Sequence, residues 1–162
     1  MKSRAIFFAN LSLPQPGNPD ININNCLLKT NRIISNKITN NNNTVSIHVR
    51  RGDYLKLKDI YHIKDMDYFS KCIDVIQSKL GKNLLYLIFS DDLEWCKQQD
   101  LFKDAYFAEG NPSHINVMDL TNGNPLSLPS VVFDLFLMTN MDKHIISNST
   151  FSWWGAYLAR SK

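Results

Sequence analysis

From Thr44 onward the chain switches repeatedly between two hydrophobic periods. TVSIHV, residues 44–49, alternates apolar and polar side chains, the pattern of a half-buried strand. KDMDYFSKCIDVIQSKLG then brings Phe69, Ile73 and Ile76 onto one helical face, with Asp65 or Asp67 placed to cap the helix and Gly81 to end it. LLYLIFS, residues 84–90, is a near-continuous apolar run, as in a strand buried on both sides of a parallel sheet. DDLEWCKQQ predicts a short helix with acids in its first turn, and AYFAEG a third strand. SVVFDLFLMTNM predicts an apolar helix, KHIIS a fourth strand, and FSWWGAYLAR a last helix with Trp153 and Trp154 in the core. Residues 111–129, rich in Asn, Pro, Gly and Ser, read mostly as loop.

Ahead of this region, NINNCLLKTNRIISNKI sets Leu27, Leu28, Ile33, Ile34 and Ile38 near helical spacing and predicts a helix ending at the asparagine run 40–43. Residues 1–22 hold three prolines and a glycine and read as an extended lead-in to one domain over 23–162. Alternating strands and helices predict an α/β fold with a mostly parallel sheet. A length of 162 residues suits one domain with a real core.

The composition, 44% hydrophobic and 20% charged, is that of a globular chain. A net charge of +3 suits an anionic ligand but supplies no basic stripe with exposed aromatics, so a nucleic-acid partner is not expected. Cys26, Cys72 and Cys96 lie far apart and fit reduced thiols of a cytoplasmic protein better than a disulfide framework. The amino-terminal apolar patch breaks at Asn10 and makes neither a signal peptide nor a membrane span.

The polar clusters fall where strands end. HVRRGD closes the first strand, SDD the second, and SNSTFSWW follows HII. In open α/β sheets ligands bind outside the carboxyl ends of strands, so the three clusters predict one site. Arg50 and Arg51 present forked donors suited to phosphate, and neighbours along a strand point to opposite faces. One arginine can therefore meet a ligand while the other pairs with Asp53 or Asp91. His48 shares Arg50's side of the strand. Asp91 and Asp92 can begin a helix or accept hydrogen bonds from a purine. Asn148, Ser149, Thr150 and Ser152 place hydroxyls at a helix start, which is either an ordinary cap or an anion site. Asp65-Met66-Asp67 forms a DxD, but its place before a periodic helix predicts capping. The four histidines show no ligand spacing, and no metal is expected.

Taken together, HVRRGDY, FSDDLEWC and HIISNSTFSWWGAYL resemble the bacterial α-1,2-fucosyltransferases, the galactoside 2-L-fucosyltransferase family (glycosyltransferase family 11). The first carries an HxRRxD motif at His48, Arg50, Arg51 and Asp53. The second matches at Phe89, Ser90, Asp91, Asp92, Trp95 and Cys96. The third runs from a helix with Asp134, Leu137 and Met138 through His144 to Asn148–Ala156. The resemblance implies the Rossmann-like, nucleotide-sugar-binding half of a glycosyltransferase-B fold. It implies transfer of L-fucose from GDP-β-L-fucose, with inversion and without a metal, to the 2-hydroxyl of a galactoside. Arg50 would grip the β-phosphate, His48 with Asp91 or Asp92 would hold guanine, and the Ser149, Thr150 and Ser152 region would close on the phosphates. Asp59 is the candidate base.

Family members carry a further domain before HxRRxD and continue beyond SWWGAYL, and neither extension is recognisable here. The resemblance therefore implies a donor-binding part, incomplete at its carboxyl end, without its acceptor domain and with a separate amino-terminal half chain as a candidate partner. It further implies surface polysaccharide synthesis in the cytoplasm or at the inner membrane face. The competing expectation is a GDP-sugar-binding domain without catalytic competence.

Overall fold

All six residues of the first strand, β1 (Thr44–Val49), are buried, although every second one is polar. The computed structural model describes residues 43–57, 59–109, 114–118 and 125–159, so the lead-in and the helix expected over 22–38 lie outside it. β1 runs parallel to β2 (Leu85–Ser90), which runs parallel to the two-residue β3 (Tyr106–Phe107). Two further strands, β4 (His114–Met118) and β5 (Pro125–Pro129), pair antiparallel in a small separate ladder. This corrects the expectation of mostly loop over 111–129: Pro125 and Pro129 stand at the two ends of β5, where a missing N–H is tolerated. β6 (Lys143–Ile145) returns to the main sheet on the free side of β1, giving the order β3-β2-β1-β6.

That order is the doubly wound one. The chain steps outward from β1 through β2 to β3, then crosses back to the other side for β6. The sequence order reverses between β1 and β6, and a crevice for ligands opens at the carboxyl ends of the strands at such a point.

Among the described residues four α-helices flank the sheet: α1 (Met66–Leu80), α2 (Leu93–Lys97), α3 (Ser130–Thr139) and α4 (Thr150–Leu158). The Asp65 carboxylate accepts the Tyr68 N–H at the start of α1, and Gly81, at φ 83°, ends it. On one face Val45, Ile47, Val49, Ile88 and Ile145 pack with Phe69 and Ile73 of α1, Cys96 of α2 and Phe102. On the other Leu85, Leu87 and Phe89 pack with Phe133, Leu137 and Met138 of α3. α4 crosses α3 closely, because a Cβ at Gly155 would stand 2.7 Å from the Met138 sulfur.

The half-buried strand expected at 44–49 is thus buried on both sides. Its polar face does not meet water but is hydrogen-bonded to the β6 side of the sheet. Thr44 N–H and hydroxyl both donate to Asp142 Oδ2, at 3.0 and 2.8 Å. The Ser46 hydroxyl lies 2.7 Å from His144 Nδ1, and His48 Nδ1 lies 2.9 Å from the Ser147 hydroxyl. Thr44, Ser46 and His48 each find a partner in this way, while Nε2 of His144 is buried without one. The placement of Trp153 and Trp154 in the core is also corrected. Phe151, Ser152 and Gly155 take the inner face of α4, and both tryptophans, each 48% exposed, take the outer one with Tyr157.

Candidate functional site

The two arginines leave β1 in register with the two aspartates that leave β2. β1 and β2 pair as far as Val49 with Ser90, and the next two steps are ion pairs. Arg50 Nη1 lies 3.0 Å from Asp91 Oδ2, and Arg51 Nε lies 3.3 Å from Asp92 Oδ2. The expectation that only one arginine pairs with an acid gives way to both doing so, in different settings. Arg51 is the more enclosed, with its guanidinium carbon 3.7 Å over the Trp95 ring. Its cation rests against an aromatic face and pairs through Nε with a carboxylate. Arg50 reaches further out, with Nη2 2.7 Å from Asp53, a carboxylate more than half exposed.

Asp91 ties this corner together. Its Oδ1 accepts the Arg51 backbone N–H at 2.9 Å while Oδ2 holds Arg50. A Cβ at Gly52 would stand 2.5 Å from that same Oδ2, so the close approach depends on glycine at position 52. Asp92 takes the ordinary capping role as well, Oδ1 accepting the Trp95 N–H at 3.3 Å. Two arginines face three carboxylates here, Asp53, Asp91 and Asp92, so an incoming anion must replace one of them at the guanidinium.

Across the crevice stands the end of β6 and the start of α4. His48 is buried against Phe151, ring centroids 5.6 Å apart, and its Nδ1 meets Ser147. Burial is the main cause pushing this imidazole down from 6.5 to about 4, with Asp91 opposing and Arg50 adding to the fall. At neutral pH it is an uncharged hydrogen-bonding group. Ser149 is the N-cap of α4, yet no side chain caps this helix. The plain Ser/Thr cap that the sequence allowed is not formed, and the first-turn amides of this nine-residue helix, which follows β6, are left without it. Asn148 and Thr150 are exposed beside it. Ser152 is buried and its hydroxyl donates to the Ser149 carbonyl at 3.1 Å.

Tyr54, the last residue of HVRRGDY, links the segment after β1 to the segment before α4. Its hydroxyl donates to the Asn148 carbonyl at 3.3 Å, and its ring stacks on Tyr61 with centroids 4.2 Å apart. Ser147 was missed, because its partner His48 lies 99 residues away in sequence. Asp59 is exposed on the turn after Leu57 and stands outside the ion-pair network of the arginines. In the DxD, Asp65 caps α1 and Asp67 pairs with Lys71 at 2.5 Å. Among the described residues no three His, Cys, Asp or Glu side chains gather as a metal set, and no helix is long and apolar enough to cross a membrane.

Residues 25–162 match the sequence profile of glycosyl transferase family 11. The chain belongs to that family. It is 36% identical over 124 residues to an α-1,2-colitosyltransferase of Escherichia coli, and 32% identical over 124 residues to an O-antigen biosynthesis glycosyltransferase of the same organism. It is 30% identical over 118 residues to a galactoside 2-α-L-fucosyltransferase of Bos taurus. These matches cover 72%, 75% and 71% of this chain but only 36%, 36% and 28% of the relatives, so the chain spans about a third of their length. The matched region contains every element around the crevice, and the α/β sheet is that of a Rossmann-like glycosyltransferase domain.

Proposed function

We propose that this chain is the donor-binding half of an inverting, metal-independent glycosyltransferase of glycosyltransferase-B architecture. It transfers L-fucose from GDP-β-L-fucose to the 2-hydroxyl of a galactoside in surface polysaccharide synthesis, at the cytoplasmic side. The observation that carries this reading is that Arg50, just after β1, and the start of α4, just after β6, follow the two neighbouring strands between which the order of the sheet reverses. A guanidinium fork and a helix start on either side of one crevice suit a diphosphate held between them.

In such a reaction the sugar–phosphate bond breaks as the galactoside oxygen attacks, and the nucleoside diphosphate leaves with added charge. Arg50 stabilises that charge from a fixed position, a task that a divalent ion would otherwise serve. Neutral His48, its Nδ1 engaged by Ser147, offers its remaining ring nitrogen to the base of the nucleotide. Asp59, on the exposed turn, retains its place as candidate base for the acceptor hydroxyl.

Calorimetry with GDP and GDP-fucose, with and without EDTA, tests the donor half of the reading, with ADP and Arg50→Ala as controls. Micromolar GDP binding, indifferent to EDTA and lost in the variant, is expected. A folded chain that binds neither ligand overturns it. Transfer assays with a galactoside, alone and with a candidate amino-terminal half chain, separate a competent enzyme from a GDP-sugar-binding domain. The relative named for colitose transfer favours a second donor sugar, and GDP-colitose in the same assay decides between the two.

A further inference from the structure

We infer that Asp91 is a positioning residue that aims Arg50, and does not read the nucleotide base. The inference rests on the reading of the crevice as a nucleoside-diphosphate site. Both oxygens of the Asp91 carboxylate are already engaged by the strand opposite: Oδ1 by the Arg51 N–H at 2.9 Å, Oδ2 by Arg50 Nη1 at 3.0 Å. Reading guanine would require this carboxylate to accept donors from the base instead. It would have to release the backbone of Arg51 and the guanidinium of Arg50 to do so.

The geometry around it is built to keep it where it is. Continued pairing of β1 with β2 brings position 91 opposite position 50. Glycine at 52 removes the one side chain that would push the carboxylate away, since a Cβ there would lie 2.5 Å from Oδ2 and 3.0 Å from Cγ. One side of the Arg50 fork is thereby fixed. The other, Nη2, is held by Asp53, a carboxylate 56% exposed where Asp91 is 24% exposed. Asp53 therefore occupies the place of an anion, and Asp91 the place of a mount. A phosphate oxygen arriving at Nη2 replaces Asp53 and leaves Asp91 in contact, so Arg50 binds with one prong fixed and one free. A charge-assisted pair held in advance adds to affinity because less freedom is lost when ligand arrives.

The test separates an effect on phosphate from an effect on base. Binding of GDP, ADP and inorganic pyrophosphate is measured for the unaltered chain, for Asp91→Asn, and for Gly52→Ala, which displaces the carboxylate without removing it. Thermal unfolding shows that each variant is folded. We expect both variants to weaken GDP and pyrophosphate by the same factor, roughly tenfold or more, the scale of one charge-assisted contact. The preference for GDP over ADP stays unchanged. A loss confined to GDP, with pyrophosphate unaffected and discrimination against ADP gone, overturns the inference and makes Asp91 a base reader. Unchanged binding of all three overturns it as well. An unaltered chain that binds neither GDP nor pyrophosphate overturns the nucleotide reading itself, and the inference with it.

Discussion

The Arg51 guanidinium carbon stands 3.7 Å from the centre of the Trp95 ring, while its neighbour Arg50 lies between the carboxylates of Asp53 and Asp91. Adjacent residues of one type have been given different work by the alternation of a strand. Arg51→Lys loses the guanidinium contact with the Trp95 ring and the Nε contact to Asp92, and should lower stability by about 1 kcal/mol. GDP affinity should change by no more than a few fold. Arg50→Lys should leave stability nearly unaltered and weaken GDP at least tenfold, because an ammonium lacks the fork. Urea unfolding and calorimetry on the two variants check both halves. Equal losses of affinity would show that the arginines act as a pair.

Stability should fall on mild acidification. The unfolded chain protonates His48 near its ordinary 6.5, whereas the buried ring resists protonation until about 4. The unfolded state therefore binds more protons in that window, and stability is full above 6.5 and declines as pH drops towards 4. His144 is also pushed down, by burial first and then by Lys143, and acts in the same direction. The His48 contribution alone is on the order of 2 kcal/mol near pH 5. Urea unfolding at pH 7 and pH 5 measures it, and His48→Gln should flatten much of the slope. A free energy equal at the two pH values would contradict the burial of these rings.

Gly155→Ala should destabilise by about 1–3 kcal/mol, because the added methyl has nowhere to go between α3 and α4. Its carbon would stand 2.7 Å from Met138 Sδ and 3.0 Å from Met138 Cβ. Met138→Ala also costs stability by leaving a cavity. The double variant should lose clearly less than the two single losses added together, since the two residues share one space. Strict additivity in urea unfolding would place the strain elsewhere.

The DxD should behave as helix-capping chemistry. Asp65→Ala removes the acceptor of the Tyr68 N–H and should cost about 1 kcal/mol, while Asp65→Ser should restore most of it. Manganese or EDTA should shift the melting curve of neither variant nor the unaltered chain. A manganese-dependent rise that disappears in Asp65→Ala would assign the pair to a metal.

Much of this architecture is written locally. Residues 44–49 form a strand over the expected span, and Asp65 and Gly81 bracket α1, because caps and periods depend on neighbours. The main sheet and the gathering of HVRRGD, SDD and SNST at strand ends follow from the same alternation. Turn-forming residues hid the β4–β5 ladder, whose backbone pairing asks little of composition. Trp153 and Trp154 misled because apolar character alone does not tell which face of a short helix turns inward. The contacts of Ser147 and Tyr54 could not be found locally at all, since their partners lie across the crevice, 99 and 94 residues away.

The row of polar contacts from Thr44 through Ser46 to His48 has a consequence for how the chain finds its own topology. Apolar strands can exchange neighbours or slide by two residues with little loss, since one oily side chain replaces another. β1 has no such freedom towards β6. Moving Lys143–Ile145 by one repeat would separate Thr44 from Asp142, Ser46 from His144 and His48 from Ser147 together. Three interior polar groups would then lack mates, which wrong pairings cannot tolerate. The seam thus acts as a key for the one crossing whose order reverses, and the same key that selects the neighbour of β1 sets where the crevice opens.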